Sequence, residues 1–136
     1  MPTPDQVRSA FARYVEAWEA RDRPAFVACF ADDATQVDPY PSPPNVGRDA
    51  IAGFFDQTLA MTDAMAFTVG RVIIGGDRGV FPFTVRSTVA ETQVEVDAVD
   101  VVSVGDDGLI TSITAYVDMD GMRTVGTVGA VGTVGA

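Results

Sequence analysis

Residues 94–104 read VEVDAVDVVSV, and the fold turns on how this stretch is placed. Two-residue alternation puts Val94, Val96, Ala98, Asp100, Val102 and Val104 on one face. Glu95, Asp97, Val99, Val101 and Ser103 fall on the other. Read this way the segment is a strand with an aliphatic side toward a core. Its one irregularity is Asp100, a lone carboxyl in an aliphatic row.

The same alternation extends over the whole second half of the chain. From about Ala64 it predicts strands near 65–75, 79–91, 93–104 and 109–118, with turns at GGDRG and GDDG. The first half has helical spacing instead. TPDQ at 3–6 reads as a capping box with Pro4 in the first turn. The helix after it aligns Val7, Phe11, Tyr14 or Val15, and Trp18 on one side, with Tyr14 on or beside the core-facing stripe, and leaves Arg8, Arg13, Glu16 and Glu19 outside it. A short second helix after Asp22 carries Phe26, Val27 and Phe30, a strand near ATQVD follows, and a third helix runs from Gly47 to about Leu59. Three helices before a curled, mostly antiparallel sheet make an α+β fold. The natural packing is a cone, with the helices over the concave face and an apolar pocket between. Residues 1–122 form this single domain. The stretch 123–136, built on repeated TVG units, offers no core-forming pattern and is expected to be a flexible tail.

Composition removes whole classes of function. With 136 residues, 47% of them hydrophobic, the chain is long and apolar enough for one substantial core. A formal charge of −10 argues against nucleic acid and anionic membrane as partners. Apolar runs are too short for a membrane span, and the start, MPTPDQVRSAF, has no signal-like core, so a cytoplasmic protein is expected. All nine basic residues are arginine, and histidine is absent. Serine–histidine and cysteine–histidine nucleophile systems, histidine metal sites and lysine Schiff bases are thereby excluded. Cys29, in AFVACF, reads as a small buried hydrophobe. Acid–base chemistry in this chain must come from carboxylates and from Tyr14, Tyr40 or Tyr116.

Two carboxylates then draw attention. Asp100 has no lysine or histidine to pair with, so a buried Asp100 is cheapest as the neutral acid, which donates a hydrogen bond. Asp38 ends a strand in TQVDPYPSPP, residues 35–44, and opens a proline-rich loop. Each has an ordinary reading: Asp-Pro is turn chemistry, a one-residue register slip would put Asp100 in water, and Tyr14 on a core stripe needs only a backbone carbonyl. The functional reading joins the three. Tyr14 and neutral Asp100 converge as donors on one ligand oxygen, while Asp38, nearer the rim, stays ionised as a base.

The stretches ARYVEAWEARDRPAFVACFADDATQVDPY and DAVDVVSVGDDGLITSITAYV resemble the ketosteroid isomerases, within the cone-fold superfamily of nuclear transport factor 2. The resemblance runs over nearly all of residues 5–118. It implies Asp38 as general base and Tyr14 with Asp100 as the oxyanion hole, the arrangement for which that family is known. It also implies a reaction without metal or organic cofactor, in which a β,γ double bond of a small apolar ketone moves into conjugation through a dienolate, as in 3-oxo-Δ5 to 3-oxo-Δ4 steroids. Phe30 and Phe55 stand where some isomerases carry tyrosines, and Val117 where some carry a large aromatic. Phe30, Phe54, Phe55, Phe81 and Val117 are the expected apolar wall of the substrate site.

Val99 and Val101 on the outer face of the fourth strand indicate a covered back, and in the resembled family a second subunit is that cover, so a homodimer is expected. The rival readings are a SnoaL-like cyclase or epoxide hydrolase, and a non-catalytic small-molecule-binding module on the same fold. The hydrolase chemistry needs an arginine between two aspartates. Arg86 alternates with Phe81, Phe83 and Val85 and is expected to face away from the pocket.

Overall fold

Thr3 opens the first helix, α1 (Pro4–Ala20), with the expected capping box: its side chain accepts from the Gln6 backbone, and the Gln6 side chain accepts from Thr3 N–H at 2.8 Å. The computed structural model describes residues 1–127. The buried stripe of α1 is Val7, Ala10, Phe11, Tyr14, Ala17 and Trp18, so the helical spacing selects the face that meets the core. Next come α2 (Arg23–Ala28), capped by Asp22, then β1 (Phe30–Val37), the two-residue β2 (Asn45–Val46) and α3 (Arg48–Met61). Phe30 therefore begins a strand and does not end a helix. The chain leaves α2 at Cys29, and Ile110 N–H donates to the Cys29 carbonyl, which draws the next residue into pairing with the sheet.

The sheet follows from β3 (Ala64–Val69), β4 (Ile73–Gly75), β5 (Arg78–Val89), β6 (Thr92–Val104) and β7 (Ile110–Val117), and closes with β8 (Arg123–Thr127). Its strand order is β2-β1-β7-β6-β5-β3, with β4 also on β5 and β8 also on β6. Every pairing is antiparallel except β1 with β7. The α+β expectation of three helices on a curled, mostly antiparallel sheet holds.

Three local differences have physical causes. The strand expected over 65–75 is two strands, because Gly70 N–H donates to the Pro82 carbonyl but proline has no N–H to return. The β5–β6 hairpin turns at Ala90 and Glu91, both at positive φ (48° and 72°), without the glycine or asparagine that ordinarily marks such a turn. The expected flexible tail is a strand over its first five residues: Arg123–Thr127 pair with the part of β6 that β7 does not reach. Edge pairing uses backbone groups, so β8 needs no hydrophobic alternation of its own. The remainder of the tail lies outside the described residues.

The core is an aromatic cluster between helices and sheet. Phe26 stacks on Phe55 with centroids at 4.3 Å, and Phe11 on Phe81 at 4.1 Å. No helix among the described residues is long and apolar enough to cross a membrane.

Candidate active site

One cavity of about 130 Å³ lies between α1, α3 and the inner face of the sheet. Its lining repeats the periodicity of each element that reaches it. From the helices come Tyr14 and Trp18, one turn apart on α1, and Phe54 and Thr58, one turn apart on α3. From the strands come alternate residues: Met65 and Phe67, Phe83 and Val85, Val96, Ala98 and Asp100, then Ala115 and Val117. Asp38, one residue past β1, completes the wall.

The topology explains why the two carboxyl groups meet. Strand β7 lies between β1 and β6, with Val37 opposite Thr114 and Ala115 opposite Asp100. Tyr40 N–H donates to the Ala115 carbonyl at 2.8 Å, fastening the chain just after Asp38 to the residue that neighbours Asp100. Two aspartates 62 positions apart in sequence thus sit on either side of one β7 residue.

Their environments differ. Asp100 is 1% exposed, and its Oδ1 has no hydrogen-bond partner among the described residues. Burial, and then the nearby Asp38, push its pKa well above the usual carboxylate range. Burial thus favours its protonated form, and Oδ1 is left without a partner in the cavity wall. Asp38 is half-buried; loss of water raises its pKa to about 6, so at neutral pH most molecules carry its charge. Tyr14, 2% exposed, has its phenol raised well above 10, first by burial and then by Asp100 and Asp38. It remains a donor throughout the physiological range. Tyr14 and Asp100, whose charged forms burial disfavours, therefore share one mostly apolar cavity with Asp38.

The structure brings Tyr14, Asp38, Asp100, Phe54 and Val117 to this cavity. It does not bring Phe30, Phe55 or Phe81 to its surface. Those three rings, 0%, 0% and 1% exposed, pack behind the wall against Phe26 and Phe11. An aromatic residue on the correct face can lie one layer too deep, and periodicity gives no depth. Trp18, Thr58, Met65, Phe67, Phe83, Val85, Val96, Ala98 and Ala115 complete the lining. Most of them were legible, because Trp18 continues the Tyr14 stripe, Phe83 and Val85 continue the Phe81 face, and Val96 and Ala98 share the Asp100 face. Arg86 points outward, as expected, and pairs with Glu95. Cys29 is buried with its thiol donating to the Ala25 carbonyl. Among the described residues no cluster of three or more acidic, cysteine or histidine side chains could hold a metal ion.

The sequence and structure can be compared with known proteins. The family model described as "SnoaL-like domain" matches residues 11–113. A curated relative, "Steroid Delta-isomerase" of Nocardioides simplex, is 31% identical over 111 residues, which cover 82% of this chain and 89% of the relative. Among solved structures, RV0760c of Mycobacterium tuberculosis superposes with a TM-score of 0.82 at 23% identity, covering 92% of this chain and 100% of that one. SalBIII, described as an epoxide hydrolase/cyclase-like enzyme in pyran ring formation, superposes at 0.83 and 22% identity with the same coverage. At such identities the two structures speak for the fold alone.

Proposed function

The chain belongs to the SnoaL-like family, and from that premise we propose that it is an isomerase that moves a β,γ double bond of a small apolar ketone into conjugation, with 3-oxo-Δ5 steroids as the substrate class. The observation that carries this reading is the pairing of opposites in one cavity. Burial raises Asp38 only to about 6, so it is mostly ionised at neutral pH, while Asp100 in the same cavity is pushed well above the usual carboxylate range and has a buried oxygen without a partner. The 31% identity to a steroid Δ-isomerase supports the isomerase class.

The chemistry follows from these states. Asp38 removes the acidic proton from the carbon between the carbonyl and the alkene, giving a dienolate. Negative charge gathers on the former carbonyl oxygen, where the Tyr14 O–H and the Asp100 carboxylic acid donate to it. The proton on Asp38 then returns at the far carbon, which leaves the conjugated enone and the starting enzyme. A carboxylate is a weak base for such a carbon, so the step depends on strong stabilisation of the oxyanion in a water-poor site. The cavity is smaller than the roughly 300–1,000 Å³ of pockets that enclose whole drug-sized ligands. It houses the reacting end of the substrate and leaves the remainder of a steroid skeleton at the mouth.

The arginine-dependent hydrolase reading is disfavoured by Arg86, which lies on the outer face in a 2.6 Å ion pair with Glu95. The opposite face of the sheet carries an open hollow of about 470 Å³ that Val99 and Tyr116 help to line. Tyr116 is 47% exposed there. A second copy of the chain seated on this face fits the homodimer expectation. Sedimentation of the protein and of Tyr116→Glu tests it, with a dimer expected for the first and a monomer for the second.

The activity test is direct. The protein is mixed with a β,γ-unsaturated 3-ketosteroid, and growth of the conjugated-enone absorbance is followed. Turnover that disappears in Asp38→Asn is expected; a rate equal to buffer would overturn the reading for this substrate class.

A further inference from the structure

Strand β3 ends the sheet, with β5 as its neighbour, and sends Met65 and Phe67 into the cavity wall. Phe67 lies opposite Val85, and Val85 opposite Val96 on β6. Val96 is roughly 13 Å along the strand from Asp100. Phe67 therefore belongs to the end of the cavity remote from Asp100, and Trp18, one turn past Tyr14, extends α1 in the direction of that end. An edge strand leaves backbone N–H groups without a strand partner. The Phe67 N–H is such a group, and it donates to Glu19 Oε2 at 2.8 Å. Glu19 directly follows Trp18, so this one bond ties the strand that carries Phe67 to the helix that carries Trp18. The end of α1 is itself fixed. The Arg21 guanidinium donates to the carbonyls of Thr62 at 2.9 Å and Leu59 at 3.0 Å, at the end of α3.

We infer that Glu19 is a positioning residue for Phe67: by holding the edge of β3 to the anchored end of α1, it sets the width of the remote part of the cavity and so the fit of a fused-ring ligand there. The consequence for ketones rests on the isomerase reading; the placement of Phe67 does not. A carboxylate accepting from an amide makes a stronger bond than a neutral acceptor. A strand with one neighbour opens locally at low cost, so a single tie on its free side decides where its inward side chains stand. A ligand gripped at Tyr14 and Asp100 meets Phe67 only if its skeleton extends beyond the first ring.

Substitutions of Glu19 separate reach from charge. Glu19→Gln keeps an acceptor at the same reach, Glu19→Asp keeps the charge on a shorter side chain, and Glu19→Ala removes both. Amide exchange at Phe67 is expected to quicken by about three- to tenfold in the Asp and Ala variants, the effect of one hydrogen bond, and to return toward the original rate in Gln. Trp18, only 3% exposed, should be quenched more steeply by acrylamide in the same two variants. For a β,γ-unsaturated 3-ketosteroid, KM should rise by about the same factor with kcat within about twofold. The single-ring cyclohex-3-enone, too short to meet Phe67, should keep both constants. Unchanged exchange or unchanged quenching in Glu19→Ala overturns the proposal, even if that variant melts earlier, and so does an active enzyme whose steroid KM does not move. If the unaltered protein isomerises neither ketone, the isomerase reading fails, and exchange and quenching still decide the role of Glu19.

Discussion

Strand β6 carries the same side chain into two different chemistries. Asp97 lies on its outer face, where it accepts from the Thr84 hydroxyl at 2.7 Å and pairs with Arg123. Those contacts, the Thr84 hydrogen bond first, hold its carboxyl below the usual range. Asp100, three residues on, points inward, where burial first and then Asp38 raise its pKa well above the usual carboxylate range. Residue type does not distinguish them, and neither does sequence neighbourhood, since both are flanked by aliphatic residues. The difference is one of parity. An odd step along a strand reverses the face, and the face decides whether a carboxyl meets arginine and water or neither.

The contrast is broken most severely at the base. Asp38→Asn is expected to lower kcat by about 10³- to 10⁴-fold, the upper range for loss of a general base, and to leave ligand binding intact. Trp18 is the only tryptophan and lines the cavity, so quenching of its emission by a steroid reads binding independently of turnover. Loss of both turnover and quenching would assign Asp38 to binding.

The two faces are compared directly by alanine substitution. Asp100→Ala is expected to cost about 10²- to 10³-fold in kcat, the scale of one oxyanion donor, whereas Asp97→Ala stays within about twofold. Equal losses would show that parity along β6 does not govern function.

The pH dependence gives the next test. The proposed base, Asp38, would act only when ionised, so kcat/KM should fall below about pH 6, tenfold per unit at the acid limit. For stability the sign runs through Asp100. Its folded pKa lies above its unfolded one, so its contribution is fully present below the unfolded pKa and is lost as pH rises toward the folded value. Asp100→Asn removes that dependence. Its Tm relative to the unaltered protein should therefore rise between pH 4 and pH 8, as differential scanning fluorimetry would record; a constant offset would contradict burial of the acid.

The smallest expected effect is remote from the cavity. Ala90 and Glu91 turn the β5–β6 hairpin at positive φ, which costs L-residues with a Cβ about 1 kcal/mol each. Ala90→Asn with Glu91→Gly should add about 1 kcal/mol in denaturant unfolding and leave kcat unchanged.

What the sequence discloses is largely periodicity. The parity of β6, the buried stripe of α1 and the outward direction of Arg86 all follow from counting along one element, and all three hold in the fold. What it conceals depends on a second element. Gly70 ends β3 because of a proline on the neighbouring strand, and β8 forms because β7 leaves part of β6 unpaired. Phe30, Phe55 and Phe81 face inward yet lie behind the cavity, since depth is fixed by what packs in front of a ring. Asp38 was visible as a strand-end carboxylate, but its place beside Asp100 required the parallel pairing of β1 with β7.

A carbon-detected NMR titration of the aspartate carboxyl groups in the full chain, assigned with Asp38→Asn and Asp100→Asn, puts the asymmetry to its plainest trial. The Asp38 signal should move from acid to carboxylate with a midpoint near pH 6, while the Asp100 signal stays that of the protonated acid through pH 7. A carboxylate signal for Asp100 at pH 7 would contradict the account at its root.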